Sequence, residues 1–69
     1  MTADKLIVGQ KAVILSCSSQ PMEDIGFTPG ERIKVTTVAM FGGSKVMKVG
    51  TSTFALRDEE LATVEVTIV

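Results

Sequence analysis

The residue types that most often carry chemistry are sparse in this chain. Histidine is absent, which removes the commonest general base and metal ligand. The lone thiol, Cys17, stands among serines with no neighbouring cation to favour a thiolate, so nucleophilic catalysis has no constellation to work with. A single cysteine also makes neither an internal disulfide nor a multi-Cys zinc site. Two carboxylate groups remain, Glu23-Asp24 and Asp58-Glu59-Glu60. Adjacent carboxylates on a turn do not converge on one cation, and the two groups are well separated in sequence. Asp58-Glu59-Glu60 reads as a solvated acidic turn, while Glu23 and Asp24 suit the positive end of a short helix's dipole; no catalytic residue, metal ligand or cofactor is expected.

The apolar residues are better candidates. Met40-Phe41 precedes Gly42-Gly43, a pair suited to a hairpin loop. Two large side chains at such a tip cannot easily both reach a core. They either anchor a partner or fold back over the barrel mouth, and self-association would hide them equally well. Met22 and Ile25 fall three apart, on one face of a short helix, with Phe27 just beyond. That face is either core packing or a partner surface. Gly26, Pro29 and Gly30 serve backbone geometry: Gly26 to end the helix, and Thr28-Pro29-Gly30-Glu31 as a type II turn.

The elements that must position these residues are strands. Val, Ile and Thr, which favour strand over helix, occupy 22 of 69 positions. Residues 11–16 read as a first strand, apolar on both alternating sets (Ala12/Ile14 and Val13/Leu15) and so expected to be covered on both faces. Residues 32–39 follow, with Ile33, Val35, Thr37 and Ala39 against Arg32, Lys34 and Thr36. Then come 45–49, with Met47 and Val49 inward and Lys48 outward, and 52–56, with Phe54 and Leu56 together. Residues 62–68 alternate most clearly, Ala62, Val64, Val66 and Ile68 against Thr63, Glu65 and Thr67. Ser19 suits a helix cap, Pro21 a first turn, and 57–61 a single helical turn. The pattern predicts an all-β fold: a five-stranded SH3-like barrel with one short inserted helix, closure removing the free edges.

Composition narrows the function classes. Sixty-nine residues are one domain, 1–69, with little volume for a deep cleft beside a core. The net charge of −1 predicts no polycationic face for nucleic acid or anionic lipid. Trp and Tyr are absent, so base-stacking platforms are poor. No apolar run exceeds four residues, as in Ala12–Leu15, against the ~20 needed to cross a bilayer. The opening MTADKLIVGQK lacks the layout of a secretion signal, and a cytoplasmic protein is expected.

The stretch from Met22 through Glu23-Asp24-Ile25-Gly26-Phe27-Thr28-Pro29-Gly30, running into Glu31-Arg-Ile-Lys-Val35, resembles the signature of the FeoA family, small cytoplasmic components of bacterial ferrous iron uptake. Phe54-Ala-Leu-Arg57, Asp58 to Ala62 and the closing Val-x-Val resemble the family's C-terminal half, and Gly9-Gln10 its usual start. Basic residues that often precede the helix motif are replaced here by Ser19, Gln20 and Pro21, and Gly50 sits one residue earlier than the usual glycine.

The resemblance implies an SH3-like barrel and a role beside the permease FeoB, whose cytosolic end carries a GTPase domain. On that reading catalysis would belong to the partner, and contact with the permease would hold this chain at the inner membrane. The charge, the missing Trp and Tyr and the short apolar runs already predict no nucleic acid and no membrane insertion. Partner contacts would then fall to Met22, Ile25, Phe27, Met40 and Phe41. The alternative is a stand-alone relative of the SH3-like C-terminal domain of metal-dependent transcriptional repressors, with domain docking or weak transition-metal binding.

Overall fold

The computed structural model describes residues 1–38 and 43–69; Ala39, Met40, Phe41 and Gly42 lie outside the described residues. Five antiparallel strands form one sheet: β1 (Lys11–Cys17), β2 (Arg32–Val38), β3 (Ser44–Val49), β4 (Ser52–Arg57) and β5 (Val64–Ile68). A five-residue helix, α1 (Gln20–Asp24), follows β1, and one helical turn, α2 (Asp58–Leu61), links β4 to β5. The spatial order is β4-β3-β2-β1-β5. Consecutive strands pair as hairpins until the last, which returns to the free side of β1.

The fold is the expected small SH3-like β-barrel type, with one difference. No ladder joins β4 to β5 among the described residues, so backbone pairing does not close the sheet. Instead α2 bridges those two strands, packed against an N-terminal 3-10 turn (Ala3–Lys5). Ala3, Leu6 and Leu61 bury their side chains almost completely there. The chain start also lies along β5, where the Val66 N–H donates to the Met1 carbonyl at 2.7 Å and the Met1 amine meets Glu65 Oε1 at 3.1 Å.

The inner face carries the core, with Ala12, Ile14, Ile33, Val35, Met47, Val49, Leu56, Val64 and Val66 buried as alternation dictates. Two irregularities interrupt it. Ile14 pairs with Val66 and Ser16 with Glu65, leaving Leu15 surplus; Val35 pairs with Met47 and Thr37 with Val46, leaving Thr36 surplus. A surplus residue bends its strand and resets which side chains face inward. With Ala12 and Ile14 inward, Val13 and Leu15 point outward by alternation, Val13 half-buried and Leu15 53% exposed, so β1 is covered on one face rather than two. The last strand starts at Val64 rather than Ala62, because the Ala62 N–H donates to the Asp58 carbonyl and completes the helical turn. Ile68, expected inward, is 47% exposed at the sheet margin.

Candidate functional site

The segment from Ser19 to Glu31 is a chain of local stop signals. The Ser19 hydroxyl caps α1, accepting from the Met22 N–H at 3.5 Å. At the other end the Gly26 N–H donates to Glu23 O (3.1 Å) and the Phe27 N–H to Met22 O (3.2 Å), with Gly26 at φ +122°. This is the paired bonding of a Schellman stop, which brings the residue after the glycine onto the helix's own apolar residue. Phe27 and Met22 are that pair, at 0% and 3% exposure. Phe27 then stacks obliquely on Phe54, ring centroids 6.0 Å apart. Next, the Glu31 N–H donates to Thr28 O across Pro29-Gly30, with Gly30 at φ +93°, as a type II turn requires.

Of the three apolar residues expected to offer a partner surface here, Met22 and Phe27 are thus taken up by the core. Ile25, the C-cap of α1, alone remains exposed, at 41%. Met40 and Phe41 lie outside the described residues, as does Gly42; Gly43 has φ +61°, the left-handed geometry expected of the loop.

The acidic turn is more structured than a solvated one. The three carboxylates of α2 act in three directions. Asp58 Oδ1 accepts from Lys45 Nζ at 2.7 Å, Glu60 Oε1 accepts from the Arg57 N–H at 3.0 Å, and Glu59 lies 3.7 Å from the Arg57 guanidinium. Lys45 is the one buried charged residue among those described. The carbonyl of Gly43 meanwhile accepts from the Asp58 N–H at 2.7 Å, which ties Gly43 to the start of α2. Among the described residues no three His, Cys, Asp or Glu side chains come together as a metal site. Cys17 is half-buried, its thiol 3.4 Å from the Ser19 carbonyl.

Sequence reasoning missed the outer face of the sheet. Lys11 pairs with Lys34, and Lys34 with Lys48, so three lysines stand in one row across β1, β2 and β3. Arg32 joins them, and the four line a groove of about 250 Å³ together with Ile33, Gly50 and Val69. The expectation of no cationic face, drawn from a net charge of −1, is corrected: four of the seven Lys and Arg residues gather here. The outward assignment of Arg32, Lys34 and Lys48 was readable from alternation; which strands lie side by side, and in what register, was not.

A small antiparallel β-module, with its core enclosed by one sheet and two helical turns, is a fold of the SH3-like kind. The chain belongs to the FeoA family: the FeoA domain matches residues 1–68. The family is associated with ferrous iron transport as a small accessory component and is not a family of enzymes. The chain is similar to Stenotrophomonas maltophilia FeoA, solved with zinc and described as a prokaryotic SH3-domain protein. The two are 26% identical, with a TM-score of 0.85, over 97% of this chain and 89% of that one. Against iron(II) transport protein A from Clostridium thermocellum the identity is 32% and the TM-score 0.90, over all of this chain and 46% of the other. A manganese-dependent transcriptional repressor, 14% identical at a TM-score of 0.83, shares the fold over 99% of this chain and 40% of its own. No curated protein matches the chain by sequence.

Proposed function

We propose that the protein is an accessory factor of ferrous iron uptake, acting by contact with the cytosolic GTPase domain of a FeoB-type permease. The observation that carries this reading is the FeoA match along residues 1–68. The similar Stenotrophomonas protein has been proposed as a ferrous iron transport activating factor, which supports the same role here. The chain contributes a rigid surface and the permease the nucleotide chemistry. Ile25, left exposed where Met22 and Phe27 turn inward, is one contact point, and the Met40-Phe41 segment is the other. The site of action is the cytosolic side of the membrane, reached through the partner; no described helix is long and apolar enough to cross a bilayer.

The test is binding of the purified protein to the permease's GTPase domain, with and without guanine nucleotide, followed by light interferometry. Ile25→Asp and Phe41→Ala should each weaken binding several-fold while leaving the circular dichroism spectrum intact. Absence of binding in every nucleotide state, together with normal ferrous iron uptake in a deletion strain, would sink the proposal.

A further inference from the structure

No ion pair or side-chain hydrogen bond among the described residues ties the row of cations on the outer face into the fold. Lysines directly opposite one another on neighbouring strands repel, and a sheet is more stable without them. Lys11, Lys34 and Lys48 nevertheless occupy consecutive register positions, where strands lie about 4.8 Å apart. None of these three, nor Arg32, has a carboxylate within 4 Å among the described residues, whereas Lys5, Lys45 and Arg57 are each paired. All four side chains are exposed, and no Asp or Glu lines the groove between them. Seven of the eight acidic residues are placed elsewhere, Glu23 and Asp24 on α1, Asp58 to Glu60 on α2, Asp4 in the N-terminal turn and Glu65 against the Met1 amine; the eighth, Glu31, sits in the turn just before Arg32 but does not line the groove. A chain with almost no net charge has thus been sorted into a cationic face and anionic connections.

We infer that this groove is a docking site for an extended acidic polypeptide segment, one that alternates carboxylate and apolar side chains. The inference does not depend on the permease being the partner. Charge complementarity selects an anion, since four unpaired cations lie within about one Debye length of each other at physiological salt. Shape selects a polypeptide. The cations line a groove of about 250 Å³ that Ile33, Gly50 and Val69 share, which suits side chains set into it better than the broad plane of a bilayer. The lining residues come from strands, from the turn after β3 and from Val69, with no helix end to hold a phosphate and no aromatic ring to stack a base.

The experiment uses the intact protein and a short fluorescein-labelled peptide alternating glutamate with leucine, read by fluorescence anisotropy at low and at physiological salt. Binding is expected, weakening as salt rises. Lys34→Ala and Lys48→Ala should each weaken it about three- to fivefold, the scale of an exposed ion pair. Lys5→Ala, away from the groove, should leave it unchanged. A matched peptide with glutamine for glutamate should not bind. Urea unfolding of each variant separates loss of binding from loss of fold. The assignment is overturned if the glutamate peptide fails to bind at low salt, if the glutamine peptide binds equally, or if Lys5→Ala costs as much as Lys34→Ala. It is also overturned if phosphatidylglycerol vesicles or a single-stranded oligonucleotide bind more tightly than the peptide. Salt-sensitive dimerisation abolished by Lys34→Ala would equally overturn it, giving the face to a second copy of the chain.

Discussion

Lys45 and Lys48 stand three residues apart on the same strand and live in different surroundings. Lys45 points inward with Met47 and Val49, is 7% exposed, and ends on Asp58 at the start of α2. Lys48 points outward, opposite Lys34, at the β3 end of the unpaired cationic row. The chemistry of the two side chains is identical and the strand is continuous, so the difference comes from parity alone. One lysine ties β3 to the turn that bridges the open side of the sheet; the other is left free to meet something outside the molecule. A count of charges gives both the same weight, and only the pairing of strands tells them apart.

That contrast breaks most visibly at the buried pair. Replacing Asp58 by Ala leaves the mostly buried Lys45 ammonium without its carboxylate, and should lower stability by about 1–2 kcal/mol in urea unfolding. Lys45→Met removes the charge and keeps the stem, and should stay within ~1 kcal/mol of the wild type. Equal losses from the two variants would mean that Lys45 reaches water after all. On the outer face, Lys48→Met should change the urea midpoint little, by no more than about 0.5 kcal/mol, with a slight gain as the outcome most consistent with lysines repelling across the strands. A clear loss there would show that the row supports the fold and would weaken the docking argument.

The smallest effect belongs to Asp4. The Thr2 hydroxyl donates to its carboxylate and holds it below the ordinary value of 3.8; partial burial opposes this, and Lys5 at 3.6 Å reinforces it. A carboxyl whose pKa is lower folded than unfolded stabilises at pH values above the ordinary one. That contribution fades as pH falls through the folded value. The gap in urea midpoint between wild type and Asp4→Asn should therefore be small at neutral pH and close on acidification. A gap that widens in acid would reverse the assignment.

Much of the fold was legible because its signals are local. Ser19, Pro21, Gly26 and the Thr28–Glu31 turn each act over a few residues, and each does in three dimensions what its type and spacing suggested. The same locality explains why Met22 and Phe27 went to the core. A Schellman stop pulls its two apolar residues together, so of the two readings of that face packing holds for Met22 and Phe27, and Ile25 is left outside. The surplus residues Leu15 and Thr36, the N-terminal 3-10 turn and the lysine row were not legible. Each depends on which strand lies beside which, and no short window of sequence carries that.

The strand order has a consequence for how the protein is made. β1 pairs with β5 as well as with β2, and Met1 itself rests on β5. A ribosome releases the N-terminal part first, yet one side of β1 stays bare, and the N-terminal turn has no seat, until 64–68 has emerged. β2, β3 and β4 are sequence neighbours and can pair as they emerge, but the β1 edge and the N-terminal turn must wait for residues 64–68, so the end that is made first is finished last.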